Sequence, residues 1–122
     1  VKIVVVDDSR VMRQIVIRTM RQAGYGGHDI VEAENGKEGL DVVQAQNPDL
    51  VLSDWNMPEM TGIDMLCALR AAGNQVKFGF VTSEGSEEMR TRATQSGAAF
   101  LIAKPFTPEA FEEALTSVGV PA

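Results

Sequence analysis

The chain has 122 residues, enough for one domain that buries a core without disulfide or metal staples. Its 44% hydrophobic and 23% charged residues are those of an ordinary globular protein, with no apolar stretch near the ~18 residues of a membrane span. A net charge of −6 with scattered Lys and Arg excludes a sequence-independent grip on nucleic acid, and one Cys (Cys67) with one His (His28) excludes a disulfide framework or a zinc site.

Five apolar runs of strand length alternate with helical stretches. The first, Lys2–Val6, holds Ile3-Val4-Val5-Val6, and the helix after it carries Met12, Ile15, Val16, Thr19 and Met20 on one stripe. Gly24 marks its stop. The second run, Asp29–Ala33, is the least apolar and is expected at a sheet edge; His28 just before it is expected at the surface. The third, 49–53, holds Leu50-Val51-Leu52; Met65, Leu66 and Leu69 then return to helical spacing until Gly73. The fourth, 76–81, contains Gly79, which weakens a strand and predicts a close backbone approach. Ser86 with Glu87 and Glu88 opens the fourth helix, and Gly97 closes it. The fifth run, 99–103, holds Leu101-Ile102, and Thr107-Pro108-Glu109 starts a last helix carrying Phe111, Ala114, Leu115 and Val118.

Continuous rather than alternating runs suit parallel strands covered on both faces. The pattern is (βα)₅, an α/β doubly wound single domain over 1–122 with right-handed crossovers and a parallel five-stranded sheet. Only four residues follow Val118, so no output domain is expected after the last helix. The six methionines read as core filler and Trp55 as an exposed loop aromatic.

Open α/β sheets bind ligands at the carboxyl ends of their strands. Here those ends deliver Asp7-Asp8, Asp54, Thr82-Ser83 and Lys104-Pro105. Three carboxylates together repel unless a cation neutralises them, and Mg²⁺ is the hard, oxygen-preferring candidate. A metal, the Lys104 ammonium and the Thr82 hydroxyl around one carboxylate match the needs of phosphoryl transfer, where positioning and charge neutralisation supply most of the catalysis. Each residue also has a plainer reading. Asp7-Asp8 suits a helix N-terminus, Asp54 and Thr82 suit turns, and Lys104 suits a surface. Their convergence from four strands argues against all of these at once.

The segments Val5-Val6-Asp7-Asp8-Ser9, Ser53-Asp54-Trp55-Asn56-Met57-Pro58, Val81-Thr82-Ser83-Glu84 and Ala103-Lys104-Pro105-Phe106-Thr107 resemble the motifs of response-regulator receiver domains in two-component systems. Met12-Arg13-Gln14-Ile15-Val16 and the segment after Asp54 most resemble the chemotaxis regulators of that family. The resemblance implies a flavodoxin-like strand order, 2-1-3-4-5. It implies that Asp54 is the phospho-acceptor, with Mg²⁺ held by Asp8, Asp54 and the Asn56 backbone carbonyl, and by Asp7 through water. Lys104 would pair with Asp54 and then the phosphoryl oxygens, Thr82 would bind the phosphoryl group and switch, and Asn56 and Glu84 would tune dephosphorylation. Lys104-Pro105 resembles the family's cis peptide, and Gly62 the glycine opening the third helix. The family's aromatic switch position holds Leu101 here; Phe100, one residue earlier, must face the other side of a strand.

The implied role is a phosphorylation-dependent switch rather than a turnover enzyme, a cytoplasmic monomer receiving its phosphoryl group from a sensor histidine kinase. The downstream protein target would be a flagellar motor switch or another partner, with no nucleic acid or membrane involved. A phosphate sink, a phosphorelay intermediate and the receiver portion of a larger protein are alternatives. A flavodoxin would need a phosphate loop where Asp7-Asp8 stands, and a haloacid-dehalogenase-like phosphohydrolase would need Asp-x-Asp and usually a cap domain.

Overall fold

The computed structural model describes residues 1–83, 85–103 and 106–122. Strands and helices alternate through β1 (Lys2–Val6), α1 (Arg10–Gln22), β2 (Asp29–Ala33), α2 (Gly36–Gln46), β3 (Leu50–Ser53), α3 (Gly62–Ala71), β4 (Lys77–Thr82), α4 (Glu87–Gln95), β5 (Phe100–Ala103) and α5 (Pro108–Ser117). The five strands form one parallel sheet in the order β2-β1-β3-β4-β5. The first two strands have the predicted bounds; β3 and β5 begin one residue later, and β4 is shifted by one so that Thr82 closes it. The weakly apolar β2 is an edge strand.

Alternate side chains of each strand go to opposite layers, which is why the runs are apolar throughout. Val4, Val6, Val51, Phe78, Phe80 and Leu101 meet Val43 of α2, Ile63 and Leu66 of α3, and Ala93 of α4. Ile3, Val5, Leu50, Leu52, Val81 and Ile102 meet Val16 and Met20 of α1 with Phe111 and Leu115 of α5. The methionines divide: Met20, Met57 and Met65 are buried, and Met60 and Met89 are partly buried against the core.

The helix ends are set locally. Ser9, Asn35, Thr61, Ser86 and Thr107 each accept the backbone N–H three residues on, a cap worth about 1 kcal/mol. Gly24, Gly73 and Gly97 follow α1, α3 and α4 with φ of 95°, 79° and 102°, which a side chain would resist. The close approach predicted at Gly79 is made by a side chain: the ring of Phe100, its partner in the β4–β5 ladder, lies over the missing Cβ. His28 is only partly exposed, stacking on Tyr25 with ring centroids 5.8 Å apart and bonding the Pro121 carbonyl through Nε2 at 2.6 Å.

Candidate functional site

The sheet reverses direction of growth between β1 and β3, and a crevice opens at the carboxyl ends of strands there. Asp7 and Asp8 follow β1, and Asp54 follows β3. One carboxylate oxygen from each lies within 4.8 Å of the other two. A cavity of about 170 Å³ opens on these three acids and on Ser9, Met12, Val81 and Ser83.

Each acid has a distinct setting. Asp7 is buried, and its Oδ1 accepts the Ser9 N–H at 2.8 Å while Ser9 caps α1. Burial lifts its carboxyl to about 6 against the opposing Ser9 hydrogen bond, with the charges of Asp54 and Asp8 adding to the rise. Asp8 is exposed at the rim. Asp54 is half-buried; its N–H donates to the Val6 carbonyl at 2.9 Å, and its Oδ1 accepts the Trp55 N–H at 2.8 Å.

The loop after Asp54 is fixed by close packing at two glycines. A Cβ on Gly62 would collide with the Asp54 carbonyl, and one on Gly36 with the Met60 carbonyl. Ser53 Oγ donates to the Asp54 carbonyl at 2.8 Å, and the Gly62 N–H to that of Trp55 at 2.8 Å. Gly62 thus opens α3 where any side chain would push the acid out of place.

Trp55 is not the exposed loop aromatic expected from its position. It is buried, with its ring 4.7 Å from that of Phe80 and the Arg92 guanidinium carbon 6.0 Å above it. Asn56 is exposed next to it.

Thr82 ends β4 fully buried, opposite Ala103 in the ladder. Leu101 is buried opposite Phe80, on the α2–α3–α4 side, and half-buried Phe100 lies on the α1–α5 side, as strand alternation requires. Lys104, its bond to Pro105, and Glu84 lie outside the described residues.

Arg13, which the motifs mark without giving it a role at the site, also reaches this end of the sheet. Arg13 is buried and donates Nη1 to the Asp7 carbonyl at 2.6 Å and Nε to Glu32 Oε1 at 2.9 Å, the one salt bridge among the described residues. Its signal was present: Arg13 and Ile17 extend the apolar stripe of α1 to a wider buried arc, where a charge needs a reason.

All-oxygen, anionic and partly solvated, the three carboxylates suit a hard divalent cation such as Mg²⁺, and a cation would offset the burial, and the lesser repulsion, that lift Asp7.

Residues 3–116 match the family model described as response regulator receiver domain. The chemotaxis protein CheY1 of Helicobacter pylori strain J99 is 37% identical over 120 residues, covering 96% of this chain and 95% of that protein. Among solved structures, the signal receiver domain of NarL from Mycobacterium tuberculosis superposes with a TM-score of 0.85 at 28% identity, covering 98% of this chain and 97% of the other. The chemotaxis protein CheY4 of Vibrio cholerae gives 0.83 at 34% identity, covering 96% and 97%.

Proposed function

Because the chain belongs to the response regulator receiver domain family, a family of phosphorylation-dependent signalling proteins, we propose that it takes a phosphoryl group onto Asp54 in a Mg²⁺-dependent reaction. The observation that carries this reading is the meeting of the Asp7, Asp8 and Asp54 carboxylates within 4.8 Å at the point where the strand order reverses.

An Asp54 carboxylate oxygen attacks the phosphorus of a donor, a phosphohistidine of a sensor kinase or a small phosphodonor. The P–N or P–O bond of the donor breaks, and the leaving imidazole or anion takes up a proton from solvent. The backbone of Asp54 is held at both sides for this attack, by Val6 and by the packing at Gly62. Asp8 and Asp54 would hold Mg²⁺ directly, Asn56 through its backbone carbonyl and Asp7 through water. Bound there, the ion would neutralise the acids and the equatorial oxygens of the transferring group. Thr82 and Lys104 would donate to those oxygens. Water then attacks phosphorus, oriented with the help of Asn56 and Glu84, and releases inorganic phosphate while restoring the Asp54 carboxylate.

The likeness to CheY proteins supports a chemotaxis-type regulator that acts as a single receiver domain and monomer, handing its state to a protein target. Leu101 in the aromatic switch position favours a second reading, a phosphate sink or an atypical partner in place of a flagellar motor switch.

Incubation with Mg²⁺ and a small phosphodonor should add one acid-labile phosphoryl group, and Asp54→Asn should abolish it. Undiminished labelling of the variant overturns the assignment.

A further inference from the structure

The phosphoryl chemistry set out above makes no use of Arg13, although it is a buried, charged side chain one helical turn beyond the Ser9 cap. A buried guanidinium is costly unless its donors are satisfied, and its planar fork fixes the directions in which they are met. Here those directions are the Asp7 carbonyl and Glu32 Oε1. Glu32 stands opposite Val5 in the β1–β2 ladder and is held further by Gln14 Nε2 at 3.4 Å.

The Asp7 carbonyl belongs to the peptide that joins Asp7 to Asp8. Because that peptide is planar, fixing its oxygen fixes the plane from which the Asp8 backbone departs. The Asp7 carboxylate is set separately by the Ser9 N–H. The ladder with β2 stops at Asp7, whose N–H meets the Ala33 carbonyl at 3.1 Å, and the Asp7 carbonyl just beyond it is met by the Arg13 side chain.

The geometry points to Arg13 as a positioning residue for the acid cluster, anchored by Glu32 on the edge strand, which together aim Asp8 at the metal. This deepens the phosphoryl-transfer reading and rests on it. The pair touches neither donor nor phosphoryl group; it sets the mutual placement of Asp7 and Asp8, and therefore metal affinity.

Mg²⁺ titration of the whole chain, followed by Trp55 fluorescence and by the rise in melting temperature, tests this. Arg13→Lys keeps the charge but loses the fork. Glu32→Ala removes the anchor at a side chain 38% exposed, where solvent can reach the guanidinium in its place. Ile17→Val, buried on the same helix without polar contacts, controls for loss of stability. Arg13→Lys and Glu32→Ala should each weaken Mg²⁺ binding threefold or more, with labelling of Asp54 restored at saturating Mg²⁺, while Ile17→Val binds as the parent does. If Arg13→Lys does not fold, Glu32→Ala decides alone. Parent-like affinity in a folded Arg13→Lys or Glu32→Ala protein overturns the inference, as does an equal loss in Ile17→Val. A parent protein that binds no Mg²⁺ overturns the phosphoryl reading with it, whereas normal labelling with unchanged affinity in the variants overturns the positioning role alone.

Discussion

Phe100 on edge strand β5 lays its ring across Gly79 on β4, its partner in the ladder, in the space that a Cβ at position 79 would occupy. Gly79 is thus a packing residue, although glycine is ordinarily a weak choice within a strand. Gly79→Ala must push the ring aside and should destabilise the fold by about 1–3 kcal/mol. In a Phe100→Ala background the same substitution should cost nothing or gain slightly, because alanine suits a strand better. Urea denaturation of the four proteins of the cycle checks this; equal costs in both backgrounds would show that the ring is not the obstacle.

Asp8→Ala should weaken Mg²⁺ binding by at least tenfold while leaving the fold intact, since the residue is exposed and has no packing role. Trp55, buried beside Asp54, is placed to report the titration by fluorescence. A variant that binds Mg²⁺ as tightly as the parent would remove Asp8 from the ligand set.

The raised carboxyl of Asp7 makes a pH prediction with a definite sign. Its folded value, about 6, lies above the ordinary 3.8, so the folded state holds the proton more tightly than the unfolded chain. Stability of the metal-free protein therefore falls as pH rises from about 4 through 6, and above that range Asp7 withholds on the order of 3 kcal/mol. Asp7→Asn keeps the oxygen that accepts the Ser9 N–H but carries no charge. Without metal, the variant should be more stable than the parent at pH 7.5, and the gap should close towards pH 4. Saturating Mg²⁺ at pH 7.5 should narrow it too. A gap independent of pH would show that charge is not its cause.

Most of the fold was legible because its signals are local. Continuous apolar runs reported strands covered on both faces, and glycines at 24, 73 and 97 reported helix ends. The acid cluster was legible because strand ends share one edge in any parallel sheet, so Asp7, Asp8 and Asp54 needed only the topology to meet. What escaped depends on contacts far apart in sequence. Trp55 lies in a loop, and it is buried among residues distant in sequence, Phe80 and Arg92 among them. Gly79 needed the β4–β5 register to find Phe100. Arg13 was hidden by a stripe drawn one residue too narrow, although its charge in a buried arc was there to be noticed.

Leu101 sets the last expectation, which concerns output rather than chemistry. Its side chain is buried against the α2–α3–α4 core, opposite Phe80, and its carbonyl accepts Arg90 Nη1 at 3.0 Å. A Cβ on Gly85 would lie 3.3 Å from Leu101 Cδ2 and 2.7 Å from the Ala103 Cβ, so Gly85 itself already rests on β5. Phe100 cannot serve in its place, because it packs towards the opposite layer and covers Gly79. A leucine in this setting has no ring to swing between an inner and an outer position and no hydroxyl to show a partner. Phosphorylation at Asp54 should therefore proceed with its conformational effect centred on Thr82 and Ser83, and with little change along Leu101 and Ile102. Amide NMR shifts of the free protein compared with the phosphate-mimic-bound form measure this directly. Shifts at Leu101 and along β5 as large as those at Thr82 would show that leucine switches as well as an aromatic does. Installing an aromatic with Leu101→Tyr should then enlarge the β5 response relative to the parent while leaving the extent of Asp54 labelling unchanged.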